Sequence, residues 1–262
     1  MQNSRLGYLA ASFLLILALG YAQAPDATEI MTAALTSSAW KDMQADMKLI
    51  LRTGRGGERV REVAFFSKDS EDGLSCMLMR FLAPADVKGT GFLTLETPSG
   101  DDERYLYLPA LRRVKKIAAS GSGGNFMSSD FTYYDIGEPK LEDWNYTLVG
   151  EESRDGRTYY MIECLPATED ILKDTGYGKI VRWVDQETLN IPYSEIYDRG
   201  QNKWKVLNVL GFERIGKVDF ATDMVVRDLQ TGHSSEIQFS NIKVDQGIPD
   251  VYFTVRYLQR VR

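Results

Sequence analysis

Short β-prone runs separated by polar turns follow one another along the chain, and this pattern constrains the fold most. The runs recur at a spacing of roughly 10–15 residues. Turns such as 54–57, Asp155-Gly156 and Arg199-Gly200 lie between them. Consecutive runs with short connections predict an antiparallel meander. The predicted strands are 42–52, 58–68, 74–82, 92–95, 105–108, 113–117, 144–150, 158–165, 179–184, 193–198, 203–210, 217–221, 224–228 and 235–244.

Two segments have helical patterns. Asp26 lies three residues before Glu29, which fits a capping box ahead of the apolar stripe that begins at Ile30. This pattern predicts a helix over about 27–40, which must cover an apolar surface. Residues 167–173 predict one helical turn.

Several predicted strands are apolar on both faces. In 74–82, Met77 and Met79 share one face, whereas Cys76 and Leu78 share the other. A sheet with one solvated face should alternate between apolar and polar residues. Either both faces are therefore covered, as in an ordinary sandwich or barrel core, or one face lines an apolar cavity.

The N-terminus has the pattern of a secretory signal. Arg5 precedes an apolar stretch at 9–19, and Gly20-Tyr21-Ala22 fits a small-x-small cleavage site. We expect a signal peptide over 1–22, cleavage near Ala22, and a single domain over 23–262 in the periplasm. The alternative is an uncleaved membrane anchor.

Net charge limits the class of binding partner, and the cysteine content allows at most one disulfide within the chain. The formal net charge of −6 argues against nucleic acid as the main partner. Cys76 and Cys164 both lie in strand-like runs, where they could form a disulfide in an oxidising compartment. The alternative is two buried free thiols that behave as small apolar residues.

The sequence has no pattern of catalytic residues. His233 is the only histidine and follows a Thr-Gly turn, and no His or Cys cluster has metal-ligand spacing. No G-x-S-x-G nucleophile elbow is present. We therefore expect a protein that is not an enzyme and needs no nucleotide, metal or other cofactor.

One short run of four basic residues stands out in this acidic chain. Arg112, Arg113, Lys115 and Lys116 could contact an anionic lipid headgroup or the acidic surface of a partner. The alternative is a strand edge whose charges discourage aggregation.

Residues 118–124 (AASGSGG) carry almost no side chain to pack, and they precede the apolar pair Phe126-Met127. This composition predicts a mobile arm that opens and closes over an apolar space. Large, adaptable side chains suit a varied apolar ligand, which needs apolar surface and few directional contacts. The candidate ligand-binding residues, which become lipid-binding candidates through the family resemblance given next, are Met77, Met79, Phe81, Phe92, Leu95, Tyr105, Tyr107, Phe126, Met127, Trp144 and Trp183.

Three sequence blocks occur in order with compatible spacing. They are F-x-x-P-x-D-x-K-G-T-x-F-L from Phe81, Y-L-Y-L-P-A-L-R-R-V at 105–114, and F-M-x-S-D-F-T-Y-x-D from Phe126. Together they resemble the outer-membrane lipoprotein-sorting protein family, the relatives of LolA and LolB, over nearly the whole mature chain.

The resemblance implies a mainly β fold: an incomplete, strongly curved antiparallel β-barrel with helices and a loop as a lid. It also implies a carrier that binds acyl chains of a lipid or lipoprotein and exchanges them with membrane-bound donor and acceptor proteins. The alternative function is a non-catalytic adaptor subunit of an RND-type lipid-export complex in the envelope.

Overall fold

Thirteen strands form one antiparallel sheet in the computed structural model, which describes residues 25–35, 40–70, 72–98, 102–137 and 140–260. The predicted signal peptide lies outside the described residues. The strand order is β6-β5-β4-β3-β2-β1-β13-β12-β11-β10-β9-β8-β7. The edge strands β6 and β7 do not pair with each other, so the sheet is open. The predicted incomplete antiparallel barrel is confirmed.

The strands have the following bounds: β1 Asp42–Arg52, β2 Glu58–Asp69, β3 Ser75–Ala83, β4 Gly91–Leu95, β5 Glu103–Leu108, β6 Arg113–Ile117, β7 Trp144–Arg154, β8 Arg157–Pro166, β9 Tyr177–Asp185, β10 Tyr193–Asp198, β11 Lys203–Ile215, β12 Val218–Asp228 and β13 Ser234–Val244. The helices are α1 Ala27–Leu35, α2 Glu169–Thr175 and α3 Val255–Leu258.

One strand prediction was wrong. The predicted strands 217–221 and 224–228 are a single strand, β12, which continues through Thr222 and Asp223. Its partner β11 extends to Ile215, and register shifts on either side of Gly211 absorb the irregularity between the two strands. The ladder therefore continues where the local polar residues predicted a turn.

Side-chain caps begin α1 and α2, and the cap of α1 is the predicted Asp26. The Asp26 carboxylate accepts hydrogen bonds from the backbone N–H of Thr28 (2.7 Å) and Glu29 (3.1 Å), which satisfies the first turn of α1. In α2 the Thr168 hydroxyl accepts from Ile171 N at 3.2 Å. The structure describes α1 over Ala27–Leu35, and the predicted continuation over 36–39 lies outside the described residues. Helix α2 starts two residues after 167.

The inner face of the sheet, defined by Met47, Val63 and Phe81, carries two apolar clusters. One lies over β1–β6 and β12–β13 and includes Leu49 and Ile237. The other lies over β7–β10 and is covered by α1. Its buried members are Ala27, Ile30, Met31, Trp144, Ile162, Cys164, Tyr177, Ile180, Val184 and Ile196.

The outer face carries a third cluster over β3–β6. Leu78, Leu93 and Tyr107 are buried there beneath the C-terminal segment 248–258. Arg80 holds this segment, because its guanidinium donates to the carbonyl oxygens of Leu258 (2.8 Å) and Tyr257 (3.2 Å). Both faces of these strands are therefore covered.

The connection from β6 to β7 crosses the inner face from one edge strand to the other. Its residues 118–137 form short turns whose backbone groups pair locally, as in Gly121 N to Ala118 O at 2.9 Å. Phe126 and Phe131 pack into the first inner cluster, and Tyr134 packs against the second. The segment predicted to be a mobile arm is therefore folded against the sheet.

Candidate functional site

A cavity of about 660 Å³ opens at one end of the inner face. Strand alternation places its apolar wall, because residues two apart on each strand point to the same side of the sheet. The cavity opens at the end of the sheet where β1 and β3 begin and β2 and β13 end. The apolar lining is Leu35, Trp40, Met43, Met47, Phe65, Met77, Met79, Ile136, Leu141, Val218, Phe220, Ala221, Met224, Ile237 and Phe239.

Methionine is the dominant side chain of this wall, which holds five of the nine methionines in the chain. Thioether side chains have three rotatable bonds and adapt to irregular apolar ligands. The cavity volume falls in the range of sites for ligands of moderate size, about 300–1,000 Å³. The wall therefore fits a flexible apolar ligand better than a rigid polar one.

A row of aromatic rings forms the other part of the wall. Trp40 contacts Phe220 edge to face at 5.9 Å between ring centroids, Phe220 contacts Phe239 at 5.3 Å, and Phe239 contacts Phe65 at 5.2 Å. Edge-to-face pairs at these distances stabilise each other. The row joins β2, β13 and β12 to the start of β1 and fixes the shape of the cavity.

The rim of the cavity is acidic. Of the lysines, Lys68 pairs with Asp250 and donates to Ile248 O at 2.9 Å, and Lys140 pairs with Asp102 at 2.6 Å. The charges of these two lysines are therefore already compensated from outside the cavity. The described lining contains the lysines Lys41, Lys68 and Lys140 against the carboxylates Asp42, Asp69, Glu96, Asp135, Glu142 and Asp219.

The opposite end of the inner face is closed by the β6–β7 connection. Arg61 donates to the carbonyl oxygen of Met127. The Ser235 hydroxyl donates to the Asp130 carboxylate at 2.6 Å, and Asp130 N donates back to Ser235 Oγ at 2.8 Å. These bonds fix the connection to β2 and β13, so it forms the floor of the inner face.

A buried lysine ties the same connection to β11. Lys205 is 1% exposed, and its ammonium donates to Asp130 O at 2.7 Å and lies 4.2 Å from the Trp204 ring centroid. Burial lowers the pKa of Lys205, while nearby Asp135 and Asp130 favour its charged form. Burial also raises the pKa of the Asp130 carboxyl. Two aspartates of the third sequence block thus surround a single buried cation.

Tyr177 completes this network from β9. Its hydroxyl donates to Asp135 Oδ2 at 2.7 Å, and the backbone N–H of Thr132 donates to the same oxygen at 2.7 Å. Burial raises the pKa of Tyr177 well above its ordinary value. The third sequence block therefore acts as an anchor that fixes the connection across the sheet.

Two of the predicted lipid-binding residues, Met77 and Met79, line the cavity. Phe81, Phe92 and Phe126 belong to the first inner cluster and are fully buried, away from the cavity wall.

The other predicted lipid-binding residues lie away from the cavity. Met127 packs against the first inner cluster and is half-buried, and Trp144 lies under α1. Leu95, Tyr105 and Tyr107 lie on the outer face under the C-terminal segment.

Trp183 lies on the face of β9 opposite Val184. Its indole donates to Glu152 at 2.9 Å, and its ring contacts Tyr193 at 4.8 Å.

The basic run lies away from the cavity wall. Arg112 is in the left-handed region after a short 3₁₀ helix, and Arg113 and Lys115 are exposed on β6. Lys116 donates to Glu103 at 2.6 Å on the outer face. The run is therefore a charged edge strand in the described part of the chain.

Cys76 and Cys164 are both free thiols in the structure. Cys76 packs against the outer cluster and Cys164 lies in the inner cluster under α1. Burial raises the pKa of both thiols. The structure therefore has the free-thiol alternative rather than the disulfide.

Several cavity residues were not among the sequence candidates, including Met43, Met47, Phe65, Met224 and Phe239. Their signal was available in β1, where Met43 and Met47 lie on one face with period two. Other strands are apolar on both faces, so the period-two pattern of β1 did not stand out.

Two further findings concern the described residues. No three His, Cys, Asp or Glu side chains among them come together as a metal site. None of the helices in the described ranges combines the length and apolar character needed to cross a bilayer.

An open antiparallel sheet with an apolar cavity on its inner face and a helix over that face is a LolA-like fold. A family model described as uncharacterized-protein-like matches residues 73–260, and the chain belongs to that family. The resemblance to the outer-membrane lipoprotein-sorting protein family is confirmed.

Three solved structures are similar to this chain. An outer membrane lipoprotein-sorting protein domain from Vibrio parahaemolyticus is 29% identical, with a TM-score of 0.83 over 89% of this chain and 98% of that one. A DUF1329 family protein from Desulfovibrio piger is 29% identical, with a TM-score of 0.82 over 88% and 97%. A LolA superfamily protein from Nitrosomonas europaea, at 20% identity, shares the fold with a TM-score of 0.70 over 89% and 100%. The search of curated proteins gave no match.

Proposed function

We propose that this protein is a periplasmic carrier that shelters acyl chains of a lipid or lipoprotein in the inner-face cavity and moves them between envelope membranes. The observation that carries the proposal is the methionine-rich cavity, open at one end and closed at the other. The similarity to a lipoprotein-sorting domain supports it. The proposed function is transport by binding, without a chemical step.

The energetics suit a carrier that must also release its cargo. Each methylene moved from water into the cavity contributes ~0.8 kcal/mol, so about twelve would contribute roughly 10 kcal/mol. Association costs about 4–15 kcal/mol in lost freedom. At the lower end of this cost, about 6 kcal/mol remains, which corresponds to a dissociation constant between about 1 μM and 1 mM. An affinity in that range holds a chain and still allows its release to an acceptor.

The test is uptake of a fluorescent fatty-acyl probe by the wild type and two variants. Met77 is half-buried in the cavity wall, so Met77→Trp fills space that the ligand needs. We expect about tenfold weaker binding, as a loss near 1.4 kcal/mol would give. The matched control is Met161→Trp. Met161 is also half-buried in a strand, but it lies on β8 opposite the buried face of Ile162.

Native mass spectrometry of the protein from its own periplasm provides the second readout. A co-purifying acylated species at one per chain supports the carrier. Equal probe binding by the wild type and both variants would place the ligand elsewhere and reject the cavity as the site.

A second candidate function is an adaptor subunit of an RND-type lipid-export complex. The observation that favours it is β7, an edge strand from Trp144 to Arg154 that pairs on one side only within the described residues. Such an edge can accept a strand from a partner. A protein that takes up no probe but binds an envelope protein tightly would support this function instead of the carrier.

A further inference from the structure

A small recess of about 20 Å³ lies beside the cavity. The recess and the cavity share Ser75, Met77, Glu96, Ile136 and Gly137, so the two spaces are contiguous. A volume of this size accommodates about one water-sized group. The recess is therefore too small for a headgroup and suits a single polar atom at the end of an apolar ligand.

The recess is lined by a buried hydroxyl that has no partner. Thr94 is 6% exposed, and its Oγ1 has no hydrogen-bond partner in the structure as described. Buried polar groups are almost always hydrogen-bonded, so each exception calls for an explanation. Thr94 lines a space of one atom's size next to an apolar cavity, so its unpartnered hydroxyl is available to donate to a ligand oxygen.

Arg104 stands opposite Thr94 in the β4–β5 pairing, on the same face of the sheet. It is 7% exposed, and its Nε also has no partner within the described part of the chain. Its guanidinium lies close to Gly137, which lines the recess. A Cβ atom placed on Gly137 would lie 3.4 Å from Arg104 Nη2. Of these two buried side chains, Thr94 lines the recess, and Arg104 lies beside it on the same face of the sheet.

The charges around the recess disfavour an anion. Asp102 already pairs with Arg104 at 2.7 Å and with Lys140 at 2.6 Å. Glu96 also lines the recess, where its carboxylate accepts from Ser75 N at 2.8 Å. The two cations Arg104 and Lys140 are balanced by the two carboxylates Asp102 and Glu96, so the recess has no net positive charge for an anion. A carboxylate or phosphate ligand would stand beside Glu96, whereas a neutral carbonyl oxygen would not be repelled.

We propose that this recess binds the carbonyl oxygen of the ester or amide that joins an acyl chain to its headgroup. The Thr94 hydroxyl donates to that oxygen, and the chain lies along Met77 into the cavity. The inference rests on the proposed carrier function and specifies its cargo: neutral acyl esters or amides, rather than free fatty acids.

The test is competition against the fluorescent acyl probe at neutral pH. The competitors are methyl laurate, N-methyl lauramide, ionised laurate and tridecane, which have similar chains and differ at the end. We expect the ester and the amide to bind about fivefold more tightly than tridecane, as one hydrogen bond would give. Laurate should bind more weakly than the ester.

Two variants of Thr94 test the residue. Thr94→Val keeps the shape and removes the hydroxyl, so the ester should lose its preference over tridecane while tridecane still binds. Because the hydroxyl has no partner in the unliganded fold, Thr94→Val should leave the melting temperature unchanged or slightly raised. Thr94→Ser keeps the hydroxyl and should restore the preference.

The outcomes separate this inference from the carrier function. If no competitor and no probe binds, the carrier function itself fails. If all four competitors bind alike, or if Thr94→Val keeps the ester preference, the recess merely holds a water and the inference is overturned while the carrier stands.

Discussion

Substitution of Phe126 tests whether the β6–β7 connection is a mobile arm or is packed against the sheet. The side chain is 0% exposed, and its ring lies 5.1 Å from Phe92, 5.6 Å from Tyr133 and 6.3 Å from Phe81 between centroids. Truncating a buried phenylalanine to alanine costs about 3–5 kcal/mol, from lost burial and the cavity left behind. Total stability of a domain is about 5–15 kcal/mol, so Phe126→Ala should remove a large part of it.

Denaturant unfolding followed by circular dichroism measures this loss through the transition midpoint. Met127→Ala is the control, because Met127 is the neighbouring residue and only half-buried. We expect the control to cost about 1 kcal/mol. At low denaturant, where Phe126→Ala remains folded, probe affinity should stay near the wild-type value because Phe126 does not line the cavity. A loss below about 1 kcal/mol for Phe126→Ala would refute the packed connection and favour the mobile arm.

Two further predictions concern buried titratable groups. Lys205→Met removes the only cation that contacts the Asp130 carbonyl among the described residues, so it should cost about 3 kcal/mol at neutral pH. The cost should shrink as pH falls, because burial already raises the pKa of Asp130 and its protonation removes the uncompensated charge. A cost independent of pH would contradict this account.

Burial also raises the pKa of Tyr146 to about 12 and that of Tyr134 and Tyr177 further. Their contribution to stability is complete below pH ~10, the ordinary tyrosine value, and is lost as pH rises through the folded pKa. Phenolate absorbance from these three groups should therefore appear only well above pH 10: near pH 12 for Tyr146, and at still higher pH or on unfolding for Tyr134 and Tyr177. Reversible titration of these three groups near pH ~10 in the folded state, measured as the difference between the wild type and the Tyr→Phe variants, would contradict the prediction.

Local pattern was sufficient to predict most strands. The bounds of β1, β6 and β10 match the prediction to the residue, because turn residues flank each run. The merged strand β12 shows where local pattern is insufficient. A polar pair inside a strand resembles a turn locally, and only pairing with β11 shows that the strand continues.

The cavity was harder to predict than the sheet. Period-two alternation identifies which residues share a face, but it does not say which face is the inner one. Leu95, Tyr105 and Tyr107 are as apolar as the cavity residues because the C-terminal segment covers them from outside. That segment is more than 130 residues away in sequence for each of them, so no local pattern reports the contact.

The anchored connection sets the depth of the cavity, and this limits how a long acyl chain can be bound. The floor is fixed through Asp130 to Ser235 and Lys205, and through Asp135 to Tyr177. Withdrawing it would expose Phe126 and leave a buried lysine without its hydrogen bond, both of which cost several kcal/mol. Under the proposed carrier function, a chain longer than the cavity would extend through the open mouth, past the acidic rim. An acceptor protein would then meet the cargo at that mouth, and transfer would not require the core to open.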